Sequence, residues 1–477
     1  MLLSELLRDV PVIGEYKDVQ VTDVTDNTDK VAVGCAFVCI KGKRFDGHDV
    51  AERLLSDEAS VVICERDLGL QSQVLVPDTR AAYALMCKNF FGRACDRMTL
   101  IGITGTNGKT TTAFIIKDLL KSFGLKSGLI GTVKNMIGEE SYPTSLTTPD
   151  PYELHAFFKR IADKGVRYCV MEASSQALHQ RRLEGIHFRV GVLTNITQDH
   201  LDYHGTMEEY IKAKRILFAQ SDIAVLNADD RNMNAMLGGR GDMTLTYSAQ
   251  CLSDIRATNI EYSPSGVSYI MNFDSKRIPV RFGIPGSFSV YNSLAAAGAC
   301  RALGYDMPEV ANNLQSAQPV TGRIELLNTA TPYSVIIDYA HTPDGIEKAL
   351  SAVKGFTKGR VIAVFGCGGD RDAGKRPKMG AAAASLADFC VVTSDNPRTE
   401  NPSVIIEQIV SGIPDDYKSY NVIKDRTQAI EFALSAAKKG DAVVLLGKGH
   451  ETYQIIGTEK RHYDEREIVA KALEAKK

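Results

Sequence analysis

Apolar and polar positions alternate along the chain with two periods, and the switches between them mark its elements. Near the start, apolar runs at Ala36–Ile40, Ser60–Cys64 and Gln73–Val76 have strand length, and Thr79–Phe91 has helical spacing. From about residue 98 the alternation lengthens. Thr99–Thr104 reads as a strand and leads through a glycine-bearing turn into a helix over Thr110–Phe123, with Gly124 where a helix end favours a left-handed residue. Leu154, Phe157, Phe158 and Ile161 share one helical face, which predicts a helix over Tyr152–Lys164 closed by Gly165. Strands follow at Tyr168–Glu172, Val190–Asn195 and Ile223–Asn227. A third block begins near 325, with strands Ser334–Asp338, Arg360–Phe365, Asp388–Ser394 and Asp441–Leu446 and a helix at Thr427–Lys438. Strands separated by helices build mostly parallel sheets. The pattern predicts three α/β domains, over 1–97, 98–324 and 325–477, which suits a chain of 477 residues.

Composition narrows the chemistry. Hydrophobic residues make up 44% and charged residues 24%, ordinary for a globular protein. A net charge of −2 gives no global attraction to nucleic acid or an anionic membrane. Met1-Leu2-Leu3-Ser4-Glu5 lacks the features of a leader, and no apolar run is long enough to span a bilayer. The ten cysteines are scattered without a C-x-x-C pair, which predicts free thiols in a reducing compartment. The expectation is a cytoplasmic monomer with neither membrane nor nucleic-acid partners.

Gly105-Thr106-Asn107-Gly108-Lys109-Thr110-Thr111 lies at a strand-to-helix junction, where parallel sheets bind ligands. Backbone N–H groups at a helix start face an anion, and glycines allow close approach. Lys109 can reach terminal phosphates of ATP, and the Thr110 hydroxyl can ligate Mg²⁺. Ile103 stands where the standard loop has glycine.

Glu172 ends one strand and His200 follows another, in Thr197-Gln198-Asp199-His200-Leu201-Asp202. Both expected positions are at the loop's edge, where an acid and a histidine suit a divalent ion. A lone strand-end Glu or His is more often a cap or a satisfied polar group. The predicted helix Thr206–Phe218 carries Met207, Tyr210, Ile211, Leu217 and Phe218 on one stripe, and Lys214 shares it. An inward lysine finds a partner or snorkels. Burial favours its neutral amine, which can add CO₂ to give an anionic carbamate.

In the last block, Phe365-Gly366-Cys367-Gly368-Gly369-Asp370-Arg371 follows a strand, but Arg371 occupies the third glycine position of a dinucleotide fingerprint. Asp395-Asn396-Pro397-Arg398 and Gly447-Lys448-Gly449-His450-Glu451 follow two more strands. Arg371, Arg398 and Glu451 are therefore expected at one sheet edge. Arginine forks onto carboxylates and a glutamate pairs an ammonium, which suits a zwitterionic amino acid.

Taken together, these segments resemble the Mur ligases of the peptidoglycan pathway, over essentially the whole chain. The resemblance rests on Thr104–Thr111, on Met171-Glu172-Ala173-Ser174-Ser175, on Thr194–Asp202, on Tyr291-Asn292-Ser293-Leu294-Ala295-Ala296, on Asp338-Tyr339-Ala340-His341-Thr342-Pro343, and on Gly447–Glu451. It implies a small N-terminal domain for a UDP-linked substrate, a central P-loop-type parallel sheet that binds ATP, and a C-terminal Rossmann-like sheet for the amino acid. It implies that Thr28, Thr147, Thr148, Ser174, Gln180 and Arg182 contact UDP-N-acetylmuramoyl-L-Ala-D-Glu. Asn292, Arg323, Asp338 and His341 would serve ATP, and Thr110, Glu172, His200 and carbamylated Lys214 would hold Mg²⁺, with Lys109, Lys214, His200 and Glu172 catalytic. Arg371, Asp395, Asn396, Pro397, Arg398, Gly447 and Glu451 would bind the amino acid. Asp395–Arg398 has the form the family associates with meso-diaminopimelate, whereas lysine-adding members usually lack the arginine. One departure stands out: the family commonly has Asp-Ser-Arg where this chain has Asn27-Thr28-Asp29, which keeps a hydroxyl and replaces a cation by an acid.

The implied reaction joins diaminopimelate to the dipeptide through an acyl phosphate made from ATP. The rivals are a ligase of this kind that adds lysine or another diamino acid, a folylpolyglutamate or cyanophycin synthetase, and, from another class, a nucleotide-driven switch.

Overall fold

A computed structural model describes residues 1–42, 45–238, 243–263 and 266–474. Three sheets succeed one another. The first has four strands in chain order, Val24–Thr25, Ala36–Val38, Val61–Cys64 and Gln73–Leu75, all parallel. Helix Thr79–Phe90 packs on it, begun by the Asp78 carboxylate, which accepts from Ala81 N.

The central sheet has eleven strands. Its parallel part runs Ile255–Ser263, Thr244–Ser248, Ser221–Asn227, Phe188–Leu193, Thr99–Thr104, Tyr168–Glu172 and Ser127–Ile130. Antiparallel strands extend both margins: Gly266–Phe273 and Lys276–Phe282 on one, Asn135–Ile137 and Glu140–Tyr142 on the other. These margins were not read from the sequence. The buried helix Ser287–Ala302 packs beside helix Lys109–Ser122, and its alanines at 295, 296, 297 and 299 allow close approach. Gly102 is needed for packing: a Cβ there would press on Leu217 and Phe188.

The third sheet runs Glu325–Leu326, Ser334–Asp338, Ala442–Leu446, Val361–Phe365, Phe389–Val392 and Tyr420–Val422, parallel except for the first pair. A hairpin, Tyr453–Ile456 with Glu459–His462, reaches back to Arg398 through its bridge with Ile456.

Most expected elements are present to within two residues. The strand expected at Val190–Asn195 lies at Phe188–Leu193. It stops early because Thr194 and Asn195 turn their polar groups onto the phosphate loop, Asn195 O accepting from Thr106 N at 2.7 Å. The strand expected through Ser394 ends at Val392, and Arg426 takes the Ser394 carbonyl at 3.3 Å. All ten cysteines are unpaired, and all but Cys251 are buried. Among the described residues, no helix is long and apolar enough to cross a membrane.

Candidate active site

The phosphate loop leaves strand Thr99–Thr104 and enters helix Lys109–Ser122. Gly105 and Gly108 have φ of 143° and 87°, a region that favours glycine. A Cβ on Gly105 would also collide with Thr194 Oγ1. The loop is pinned from the neighbouring strand: Asn107 N donates to Asn195 Oδ1 at 3.1 Å, and Thr194 Oγ1 donates to Asn107 O at 2.6 Å. Ile103 is wholly buried in the sheet. Lys109 Nζ folds back and donates to Gly105 O and Thr106 O, both at 2.9 Å. Burial lowers its pKa, and Arg323 adds to this against the pull of Glu172 and Asp199.

Glu172 is 1% exposed. Its carboxylate accepts from Thr110 Oγ1 at 3.1 Å, Thr132 N at 2.9 Å and Thr132 Oγ1 at 3.0 Å. Thr132 follows strand Ser127–Ile130 and carries no motif that could have flagged it. Lys214 is 1% exposed on helix Met207–Ala219, whose N-terminus Thr206 caps. Its Nζ donates to Gly105 O at 2.9 Å and lies 4.4 Å from the Tyr210 ring centroid. Burial, with Lys109 nearby, pushes the Lys214 ammonium well below the ordinary lysine range, so the neutral amine is favoured. His200 takes left-handed backbone, sits 3.4 Å from the Asp199 carboxylate, and stacks edge-on to Tyr210 at 6.5 Å. Burial and the charges of Lys109 and Lys214 lower its pKa.

The four residues expected at a metal thus fall in two groups, Thr110 with Glu172 in direct contact, and His200 with Lys214 around Tyr210. Among the described residues, no three His, Cys, Asp or Glu side chains converge. A divalent ion here would therefore depend on the threonine hydroxyls and on Lys214. Buried carboxylate and hydroxyl oxygens are the hard donors that Mg²⁺ takes.

A cavity of about 350 Å³ opens beside the loop. Asn107, Gly108, Thr111, Asn292, Arg323, Asp338 and His341 line it, whereas Gly105, Thr106, Lys109 and Thr110 of the expected nucleotide residues do not. Arg323 Nη2 donates to Thr110 Oγ1 at 3.4 Å. Asp338 accepts from Ile324 N and Ala340 N, both at 2.8 Å, and burial raises its carboxyl against the Arg323 charge. Burial and Lys375 push His341 down to about 4, and its Nδ1 lies 2.9 Å from Tyr339 O. Tyr291, from the Tyr291–Ala296 motif, also lines the cavity, as do Asp229 and Asp230, which belong to none of the motifs. Asp344, at the start of helix Pro343–Lys354, accepts from Asn107 Nδ2 and from Thr197 Oγ1 at 3.1 Å, and so ties the phosphate loop to the third sheet.

Thr147, Thr148, Ser174, Gln180 and Arg182 form one hydrogen-bonded group beyond Glu172. Thr148 Oγ1 donates to Glu172 O at 2.7 Å and accepts from Ser174 N at 3.0 Å. Arg182 donates to Thr148 O at 3.0 Å and forks onto Gln180 Oε1 at 3.0 and 2.7 Å. Thr147 Oγ1 lies 3.0 Å from Thr132 Oγ1. Thr28 begins the 3-10 turn Thr28–Lys30, which Asn27 caps, and among the described residues no hydrogen bond ties it to this group.

On the third sheet, Arg371, Arg398 and Glu451 follow three neighbouring parallel strands. Arg398 Nη1 donates to Gly369 O at 2.8 Å, and its backbone pairs with Ile455 O at 3.1 Å. Arg371 is exposed beside it, and Pro397 is buried. Asn396 Nδ2 donates to Glu451 Oε2 at 2.9 Å. A Cβ on Gly447 would collide with Asp395 Oδ2. Burial and Asp395 raise the Glu451 carboxyl. Burial raises Asp395 too, but Lys448 and Arg426 outweigh it and hold the carboxyl low. Lys448, central to this group, lies within the Gly447–Glu451 motif, whose spacing alone assigns it no partner.

The Mur ligase middle domain matches residues 103–300, and the Mur ligase glutamate ligase domain matches residues 322–449. The chain is similar to the UDP-N-acetylmuramoyl-L-alanyl-D-glutamate–2,6-diaminopimelate ligase of Clostridium perfringens, with 43% identity over all of both chains. It is 42% identical to ligase 1 of that name from Clostridium acetobutylicum, over 99% of each chain. A solved structure of a protein with the same name aligns at TM-score 0.71 and 31% identity, covering 100% of this chain and 99% of that one. The ADP complex of a MurF ligase from Thermotoga maritima shares the fold, at TM-score 0.65 and 22% identity over 96% of this chain and 99% of its own. With both domains matched in order and relatives above 40% identity along its length, the chain belongs to the Mur ligase family.

Proposed function

We propose that the chain is an ATP-dependent amide ligase that joins meso-2,6-diaminopimelate to the D-glutamate γ-carboxylate of UDP-N-acetylmuramoyl-L-alanyl-D-glutamate, in peptidoglycan precursor synthesis. The observation that carries the reading is a meeting of two sheets at their C-terminal strand ends. One brings a phosphate loop, and the other an arginine and a carboxylate that follow parallel strands of one sheet, with Arg323 and Asp344 joining the two sheets. The names of relatives above 40% identical support the same substrates.

A carboxylate and an ammonium do not condense in water without activation. In this reading the γ-carboxylate attacks the γ-phosphorus of ATP, ADP leaves, and an acyl phosphate forms. The free amine of diaminopimelate then attacks the acyl carbon, phosphate departs, and the amide is left with the release of a proton. Lys109 neutralises charge on the phosphoryl group as it moves. Asn292, Arg323, Asp338 and His341 orient the nucleotide. Thr147, Thr148, Ser174, Gln180 and Arg182 hold the peptide end of the acceptor, and Thr28 in the N-terminal domain faces its UDP end. Arg371, Asp395, Asn396, Pro397, Arg398, Gly447 and Glu451 hold diaminopimelate. Contact between the second and third sheets keeps water from the acyl phosphate.

Mg²⁺ is the ion this reading implies: Thr110 and Glu172 would hold one, His200 and Lys214 as its carbamate would hold a second, and when bound they would shield the charge of the phosphates. The neutral Lys214 amine adds to CO₂ and loses a proton to become that carbamate. The compartment that fits a nucleotide-linked substrate and free thiols is the cytoplasm.

Phosphate release tests the reading. With UDP-muramoyl-dipeptide and ATP, release is expected on adding meso-diaminopimelate, and far less with L-lysine or L-ornithine. Release that ignores all three amino acids marks a nucleotide switch, and a preference for lysine overturns the selectivity.

A further inference from the structure

The loops after strands Phe389–Val392 and Ala442–Leu446 close over the Lys448 ammonium. Lys448 is 0% exposed. Its Nζ donates to Asn396 Oδ1 at 3.1 Å and Glu451 Oε2 at 3.4 Å, and lies 3.6 Å from Asp395 Oδ1. The rings of Tyr453 and Tyr463 flank it at 5.9 and 5.8 Å. An ammonium this deep persists only with paired partners. All three partners belong to the pocket assigned above to the amino acid. Asn396 Oδ1 also accepts from Ile455 N at 2.9 Å, so the Lys448 contact joins the hairpin to both loops.

We propose that Lys448 is the positioning residue of the amino-acid pocket: it holds Glu451 as an aimed carboxylate, so that the pocket receives the ammonium of an α-amino acid. This rests on the function proposed for the pocket. The groups that face Glu451 are Lys448, Asn396, Asp395, Tyr453 and Tyr339. Burial and Asp395 both favour its protonated form, and Lys448 opposes them. Arg426, the other buried cation nearby, cannot stand in. Its guanidinium is committed to Glu465 at 2.8 Å, Leu446 O at 2.8 Å and Ser394 O at 3.3 Å, where it ties two strand ends together.

The test is steady-state kinetics of the full chain with Lys448→Met, Glu451→Gln and the double variant. Lys448→Met is expected to raise KM for diaminopimelate about 30-fold or more, on the scale of a broken buried charge pair. KM for ATP and for the UDP-linked acceptor should stay within about twofold. The acid limb of kcat/KM for diaminopimelate should move to higher pH, which a purely structural defect does not produce. The double variant should be no worse than Glu451→Gln alone, because the lysine acts through that carboxylate. If Lys448→Met does not fold by circular dichroism, the comparison of the double variant with Glu451→Gln decides. Losses that multiply, or an unchanged KM for diaminopimelate in folded Lys448→Met, overturn the role of Lys448. A wild-type chain that releases no phosphate with diaminopimelate overturns instead the function assigned to the pocket.

Discussion

Arg398→Ala isolates the selectivity of the proposed ligase. The Arg398 backbone is fixed independently of its side chain, with N donating to Ile455 O and O accepting from Gly457 N. Its φ of 51° is left-handed, and alanine pays the same strain there as arginine, so truncation leaves the loop in place. Of the guanidinium donors, Nη1 is used on Gly369 O, and the rest can fork onto a carboxylate. Meso-diaminopimelate carries a second carboxylate that lysine lacks. Truncating one member of a buried charge pair costs ~2–5 kcal/mol. Arg398 is half-buried, so the low end applies. A loss of about 2 kcal/mol is about 30-fold in kcat/KM for diaminopimelate. Activity with L-lysine should not fall, so the ratio between the two substrates collapses. Arg398→Lys, which keeps the charge and loses the fork, should lie between. The assay is kcat/KM for each amino acid at saturating ATP and acceptor. An unchanged value for diaminopimelate in Arg398→Ala refutes the assignment.

Two further perturbations probe the rest of the chain. Lys214→Ala should abolish turnover, with partial return on adding formate or acetate, and full activity without the lysine would remove its role. His155 is 1% exposed, its Nε2 has no partner among the described residues, and burial, helped by Lys88, pushes its pKa down to about 3. The unfolded chain takes a proton there below about 6.5 and the folded chain does not, so stability is present above that pH and is lost as pH falls from 6.5 toward 3. The loss is about 2 kcal/mol at pH 5. His155→Leu should therefore lose less melting temperature than wild type between pH 7.5 and 5, and parallel pH curves contradict this.

Periodicity and local chemistry made part of this molecule legible. Lys214 could be placed inside because it shares a helical stripe with Tyr210, Leu217 and Phe218, all buried in the structure. The phosphate loop was legible because strand, glycines and Lys109 are contiguous. The antiparallel margins were less so. Asn135–Ile137 and Glu140–Tyr142 are too short to show a period. Gly266–Phe273 and Lys276–Phe282 do alternate, but Ile255–Ser263, on which that margin pairs, has a register shift near Thr258 and Glu261. Groups assembled from distant segments were also hidden. Thr132 reaches Glu172, Asp344 reaches Asn107, and Lys448 reaches Asn396 only once parallel strands bring their ends side by side. Arg371, Arg398 and Glu451 could be anticipated together because each follows a readable strand.

The coupling of ATP to amide formation can be measured in one experiment. The acceptor is labelled with ¹⁸O in both oxygens of its D-glutamate γ-carboxylate and is incubated with ATP, Mg²⁺ and meso-diaminopimelate. Mass spectrometry then follows product and phosphate. An acyl-phosphate ligase yields the acceptor joined to diaminopimelate, with one labelled oxygen kept in the amide and the other transferred to the released phosphate. Phosphate without label, or ATP hydrolysis without the joined product, contradicts the account.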